Sequence, residues 1–183
     1  MALTNDQFDG IVRNYRGKFG RMQVTLNSTY EYTATVSVPE NTLAAIPLIF
    51  SGSAIRLGGS FKVNQLIVYE DSAPAVTTPN KIPGTLHFFT PSDVGNLTGT
   101  IATEFDIGAL MTWEDYAGSI DVLDTDYKKI KKGSKYDAVA IVKDTNVDIT
   151  CYKDSRVVLG VFVTEDGSGS KSVTDDTKLH FII

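Results

Sequence analysis

From residue 30 to residue 38 the chain alternates without a break: Tyr30, Tyr32, Ala34, Val36 and Val38 fall on one side, Glu31, Thr33, Thr35 and Ser37 on the other. A period of two marks a strand with one wet face. Related β signals predict further strands over 22–26, 46–50, 61–70, 85–90, 118–123, 136–143, 148–152, 157–164 and 178–183, with Gly, Pro, Asn and Asp between them. Short strands divided by turn residues in this way predict a mainly β protein, an antiparallel β-sandwich or jelly roll rather than a parallel α/β sheet. Residues 157–163 are almost continuously apolar, which places that strand centrally with both faces covered. In 61–69 the alternation changes phase near Asn64 and Gln65, and that predicts a bulge.

Helical periodicity is confined to the start of the chain. Thr4-Asn5-Asp6-Gln7 has the form of a capping box, and Phe8, Ile11, Val12 and Tyr15 then form one apolar stripe before Gly17 and Gly20. A helix this short is marginal alone in water and must dock, either on its own β domain or, as an arm, on a neighbouring subunit. The expected organisation is an N-terminal helical arm over residues 1–20 and a β-sandwich domain over 21–183. One helical turn is expected at 113–117, capped by Thr112 and stopped by Gly118. The segment 71–83 carries Pro74, Pro79 and Pro83 and reads as a long loop; 167–176, rich in Gly, Ser and Asp, reads as the connection between the last two strands.

At 183 residues the chain can bury a self-sufficient core. The formal net charge of −5 argues against a sequence-independent grip on nucleic acid, which needs clustered Lys and Arg. The one basic concentration, Lys128, Lys129, Lys131 and Lys132, follows Asp121, Asp124 and Asp126 and reads as a solvated turn. Cys151 is the only cysteine, so it forms no internal disulfide and reads as a small buried apolar residue from a reducing compartment. Asp6, Asp9, Arg13 and Arg16 occupy the place where a signal peptide would be apolar, and no apolar run reaches the length of a membrane span, so neither export nor membrane insertion is expected.

Candidate chemistry is sparse. His87 lies beside Phe88 and Phe89, and His180 between Leu179 and Phe181, inside expected strands; structural roles are expected rather than a Ser-His-Asp triad. Asp121, Asp124 and Asp126 offer oxygen atoms, but the central Gly and closing Glu of an EF-hand loop are absent, so no metal is expected. The pairs Glu114 and Asp115, Glu165 and Asp166, and Asp175 and Asp176 are sequence neighbours, which point to opposite faces in a strand and are usually solvated in a loop. Gly58-Gly59 precedes a strand rather than opening a helix, and Ser51-Gly52-Ser53 lacks the flanking glycines of a nucleophile elbow. The reading is therefore non-enzymatic and without a cofactor. Abundant Tyr and Phe leave a sugar-binding platform as an alternative, although most of them sit at inward-looking positions.

From Gly58 onward the order of segments resembles a family of tailed-bacteriophage virion proteins found among head-fibre, decoration and auxiliary capsid components. The resemblance runs through Gly58-Gly59-Ser60-Phe61-Lys62-Val63 and Tyr69-Glu70-Asp71, then Gly84-Thr85-Leu86-His87-Phe88-Phe89. It continues through Met111-Thr112-Trp113-Glu114-Asp115-Tyr116-Ala117-Gly118-Ser119-Ile120, Val158-Leu159-Gly160-Val161-Phe162-Val163-Thr164 and Lys178-Leu179-His180-Phe181-Ile182-Ile183. It implies a β-sandwich with no catalytic residues, located in the virion after assembly in the host cytoplasm. The implied partners are the major capsid protein or other virion proteins, and further copies of the chain in a homo-oligomer. Phe8, Ile11, Val12 and Tyr15 are the expected partner-binding anchors. The alternative is a carbohydrate-binding module on a fibre or tail, reaching the host through the 71–83 and 167–176 loops.

Overall fold

The computed structural model describes residues 25–51, 57–73, 76–91, 99–106, 115–167 and 169–183. The expected helix at residues 1–20 and its stripe Phe8, Ile11, Val12 and Tyr15 lie outside them. Eleven strands occur among the described residues: β1 (Asn27–Glu31), β2 (Val36–Val38), β3 (Leu43–Ser51), β4 (Ser60–Asp71), β5 (Gly84–Phe89), β6 (Tyr116–Val122), β7 (Tyr127–Lys132), β8 (Lys135–Thr150), β9 (Val157–Thr164), β10 (Lys171–Val173) and β11 (Lys178–Ile182). They form a five-stranded sheet in the order β1-β11-β4-β8-β7, a four-stranded sheet β3-β9-β5-β6 and a small pair β10-β2. All the strand pairings are antiparallel.

The apolar run in β9 has a direct cause. It lies between β3 and β5, and its alternate side chains enter two different clusters. Val158 and Phe162 join a large cluster with Leu48 and Phe50 of β3, Leu86 and Phe88 of β5, Leu66 and Val68 of β4, and Leu179 and Phe181 of β11, so strands of both larger sheets share it. Leu159, Val161 and Val163 face the other way, with Leu43, Ile46 and Phe89, against Ile101, Phe105 and Tyr116. The segment carrying Ile101 and Phe105 is fastened to the start of β3: Leu43 N–H donates to Thr103 O (2.9 Å), and Ala102 N–H donates to Leu43 O (2.8 Å).

The expected bulge is present, with the surplus residues on the partner strand. Val63 pairs with Val147 and Gln65 with Lys143, so β8 spends four residues where β4 spends two. Asp144 and Asn146 take positive φ there, and Thr145 Oγ1 donates to Val63 O at 2.6 Å. The two strands expected over 136–143 and 148–152 are thus one strand, β8, that runs through the irregularity.

Four other expectations are corrected. The alternation over 30–38 is cut in two: Tyr32 is buried and bonded through its backbone to Thr177 and Asp176, residues 33–35 leave the ladder, and β1 pairs with β11 while β2 pairs with β10. The helical turn expected at 113–117 does not extend to Tyr116 and Ala117, which open β6. The 167–176 segment carries a strand of its own, β10. Finally, Lys128, Lys129, Lys131 and Lys132 do not form a turn but lie along β7, joined to β8 by the two-residue turn at Gly133 and Ser134 with Gly133 at φ 65°.

Candidate functional site

Ionisable groups gather where β4 meets β8, and their partners come from neighbouring strands. Tyr69, Glu70 and Asp71 close β4; Lys135 and Asp137 open β8. Tyr69 Oη donates to Asp137 Oδ2 (2.5 Å), and the Ser72 N–H donates to Asp137 Oδ1 (3.1 Å). Lys135 Nζ donates to Asp71 Oδ1 and Ser72 O, both at 2.5 Å, while Lys132 of β7 stands 3.5 Å from Asp71 and 3.9 Å from Asp137. On the same face His180 of β11 stacks on Tyr69 with ring centroids 5.6 Å apart, and its Nδ1 lies 2.9 Å from Thr29 Oγ1 of β1. Hydrogen bonds and ion pairs, with one ring stack between β11 and β4, therefore tie all five strands of the larger sheet. Burial, with the hydrogen bond to Asp137 adding to it, pushes the Tyr69 hydroxyl well above the ordinary tyrosine range. Burial also works against the Asp71 carboxylate, but Lys135 and Lys132 outweigh it and hold the group below its usual value.

Glu70 points the other way, into the interior, at 1% exposure. Its Oε1 accepts from Asn80 N–H (2.8 Å) and Ser72 Oγ (3.1 Å), and its Oε2 accepts from Lys81 N–H (2.9 Å). Burial raises this carboxyl above the ordinary range even though three donors favour its charged form. The arrangement clasps the proline-bearing loop after β4 to the end of that strand.

The two histidines stand where the sequence places them, in strands and beside aromatic rings. His87 of β5 stacks on Phe105 (centroids 4.6 Å apart) and lies 3.4 Å from the Tyr116 hydroxyl. The three aspartates are apart in role: Asp121 Oδ1 accepts from Thr85 Oγ1 (2.7 Å), while Asp124 and Asp126 belong to a 3-10 turn where Asp126 Oδ2 accepts from the Leu123 N–H (2.8 Å). Among the described residues no three His, Cys, Asp or Glu side chains are grouped to hold a metal ion, and no helix is long and apolar enough to cross a membrane.

No family model, curated protein or solved structure matches the chain. The likeness to phage virion proteins therefore rests on the sequence segments alone.

The site that sequence reading missed is β7. Its signal was the Gly133-Ser134 pair between Lys132 and Lys135, a two-residue hairpin turn that implies a strand on each side. The four lysines and one isoleucine after Tyr127 show no apolar alternation because β7 is an outer strand, with only Tyr127 buried.

His87 supplies a pH-dependent expectation. Burial lowers its pKa from 6.5 to about 4, with Asp121 pulling weakly the other way. Between those values the unfolded chain takes up a proton that the folded chain refuses. Stability therefore falls as the pH drops through that window, by on the order of 1–2 kcal/mol once the partial solvent access of the ring is allowed for. In urea unfolding at pH 7 and near pH 4.5, a His87→Gln variant should lose less stability across the interval than the parent by about that amount. The opposite contribution of Glu70 is present in both proteins and cancels. Equal pH sensitivity in the two would contradict a neutral, half-buried His87.

Proposed function

We propose that the protein is a non-enzymatic structural component of a phage virion, a capsid-attached auxiliary, decoration or head-fibre protein that works through protein–protein contacts. In this reading the two larger sheets are the layers of a β-sandwich closed over the cluster they share, and the N-terminal segment with Phe8, Ile11, Val12 and Tyr15 carries the attachment. The observation that supports it most is how the buried ionisable groups are used. Glu70 clasps a loop and Asp137 receives Tyr69 of the neighbouring strand, so that chemistry is spent on holding a loop and two strands of one sheet in place. The order of segments from Gly58 to Ile183 supplies the virion class.

Attachment of this kind acts by buried area: a stable interface buries more than about 1,200 Å², with apolar and aromatic anchors at its centre, and many copies on a shell multiply modest contacts. Deleting residues 1–20 spares every core residue of the two clusters among the described residues, the first of which is Leu26. The truncated protein is expected to melt cooperatively yet to join particles more than about tenfold less well, since several anchors worth about 1 kcal/mol or more each are gone. Quantifying it in purified particles against the full chain is the check, and undiminished incorporation would refute the arm's role.

A further inference from the structure

In a chain of net charge −5, four lysines and one isoleucine follow Tyr127 along β7, and all five are exposed. Ile130 leaves 43% of its surface in solvent. Among the described residues β7 is bonded on one side only, to β8. The register fixes which backbone groups look outward. The Tyr136 N–H donates to Val76 O (2.9 Å), away from β7, so its cross-strand pair with Lys131 is of the non-hydrogen-bonded kind. At the other end the Tyr127 N–H turns back to Asp124 O, as the same phase requires. With a period of two, Lys129 and Lys131 direct their N–H and C=O groups to the open edge.

The side chains divide between the faces. Lys128, Ile130 and Lys132 lie with Val139, Asp137 and Lys135; Lys129 and Lys131 lie with Ala138 and Tyr136. Two lysines are already placed: Lys132 pairs with Asp71 and Asp137, and Lys129 sits 3.8 Å from the centre of the Tyr136 ring while donating to Thr77 O (2.8 Å). Pairing of this edge with its own copy would set lysine against lysine, which is unfavourable. Lysines on an edge ordinarily turn away strands, but the same charges select a strand that carries carboxylates.

We propose that the β7 edge is a docking site for an extended acidic segment of a partner protein, added as a sixth strand. Its backbone bonds to Lys129 and Lys131, its carboxylates lie opposite Lys128, Lys129 and Lys131, and a branched apolar side chain covers Ile130. The proposal involves no residue of 1–20, so it and the arm's role are tested independently and either can fail without the other.

The test uses the full chain, labelled with nitrogen-15, and a capped peptide Thr-Glu-Glu-Val-Glu-Glu-Thr. The Lys129 and Lys131 amides should shift on titration and exchange with solvent at least about tenfold more slowly at saturation. Methylating the amide nitrogens of the two glutamates beside valine keeps every charge but removes the donors, and affinity should fall at least about tenfold. A Lys128→Glu, Lys131→Glu variant should melt as the parent does and bind at least about tenfold more weakly. The proposal is overturned if millimolar peptide leaves the Lys129 and Lys131 amides unmoved, if the methylated peptide binds as tightly, or if a single-stranded oligonucleotide displaces the peptide at equal concentration.

Discussion

A Gly84→Ala variant is expected to melt about 10 °C below the parent protein, corresponding to a loss of about 3 kcal/mol or more. Gly84 opens β5 between Val122 of β6 and Thr164 of β9. A Cβ there would lie 2.1 Å from the Val163 carbonyl oxygen and 3.0 Å from Phe162 Cζ. The first obstacle is backbone in a central strand, so no rotamer change relieves it. Either β5 or β9 must move, and both clusters that β9 serves move with it. Overpacking typically costs about 1–3 kcal/mol, and an immovable carbonyl puts this position at or above the upper end. Gly133→Ala is the control: its φ of 65° is strained for alanine, but nothing lies within 4 Å, so about 1 kcal/mol is expected. Thermal melts of both variants decide the matter, and a Gly84→Ala midpoint within about 2 °C of the parent would contradict the close approach of β5 to β9.

Truncating Phe162 to alanine is expected to cost about 3–5 kcal/mol. The ring is fully buried, and it meets Phe181 edge to face with centroids 5.2 Å apart. Phe162 belongs to the four-stranded sheet and Phe181 to the five-stranded one, so the contact joins the two sheets. Neighbouring backbone is held by ladders on both sides of β9 and cannot collapse into the space. Ile49→Ala, at a side chain 47% exposed, should stay within about 0.5 kcal/mol. Urea unfolding followed by near-ultraviolet circular dichroism measures both. A loss below about 1 kcal/mol at Phe162 would argue that the two sheets do not depend on this packing, and with it the sandwich reading would fall.

How much of this was legible beforehand depended on whether a strand's environment leaves a mark in its own residues. β9 is apolar throughout because both its faces are covered, and its limits were readable to the residue. β4 showed its phase change, since Val63 and Leu66 both face the interior across the bulge. By contrast β7 has one buried side chain in six, and hydrophobic periodicity has nothing to report on an outer strand. The 30–38 run misled for the opposite reason. Its alternation is genuine in sequence, yet Ala34 is exposed while Tyr32 and Val38 are buried, and what separates β1 from β2 is the long-range bonding of Tyr32 to Thr177 and Asp176. The polar network was unreadable for a similar reason: Tyr69 and Asp137 are 68 positions apart and meet only through the β4–β8 register.

The Glu70 clasp has a consequence for what the molecule tolerates. Because the carboxylate grips the amides of Asn80 and Lys81 directly, the ends of the intervening stretch are held together whatever its length. Doubling such a stretch adds only about 0.6 kcal/mol of closure entropy. Foreign epitopes or tags spliced at the exposed Thr77–Thr78 step would thus be carried on the surface at little thermodynamic expense, which makes that step a natural point for engineering display.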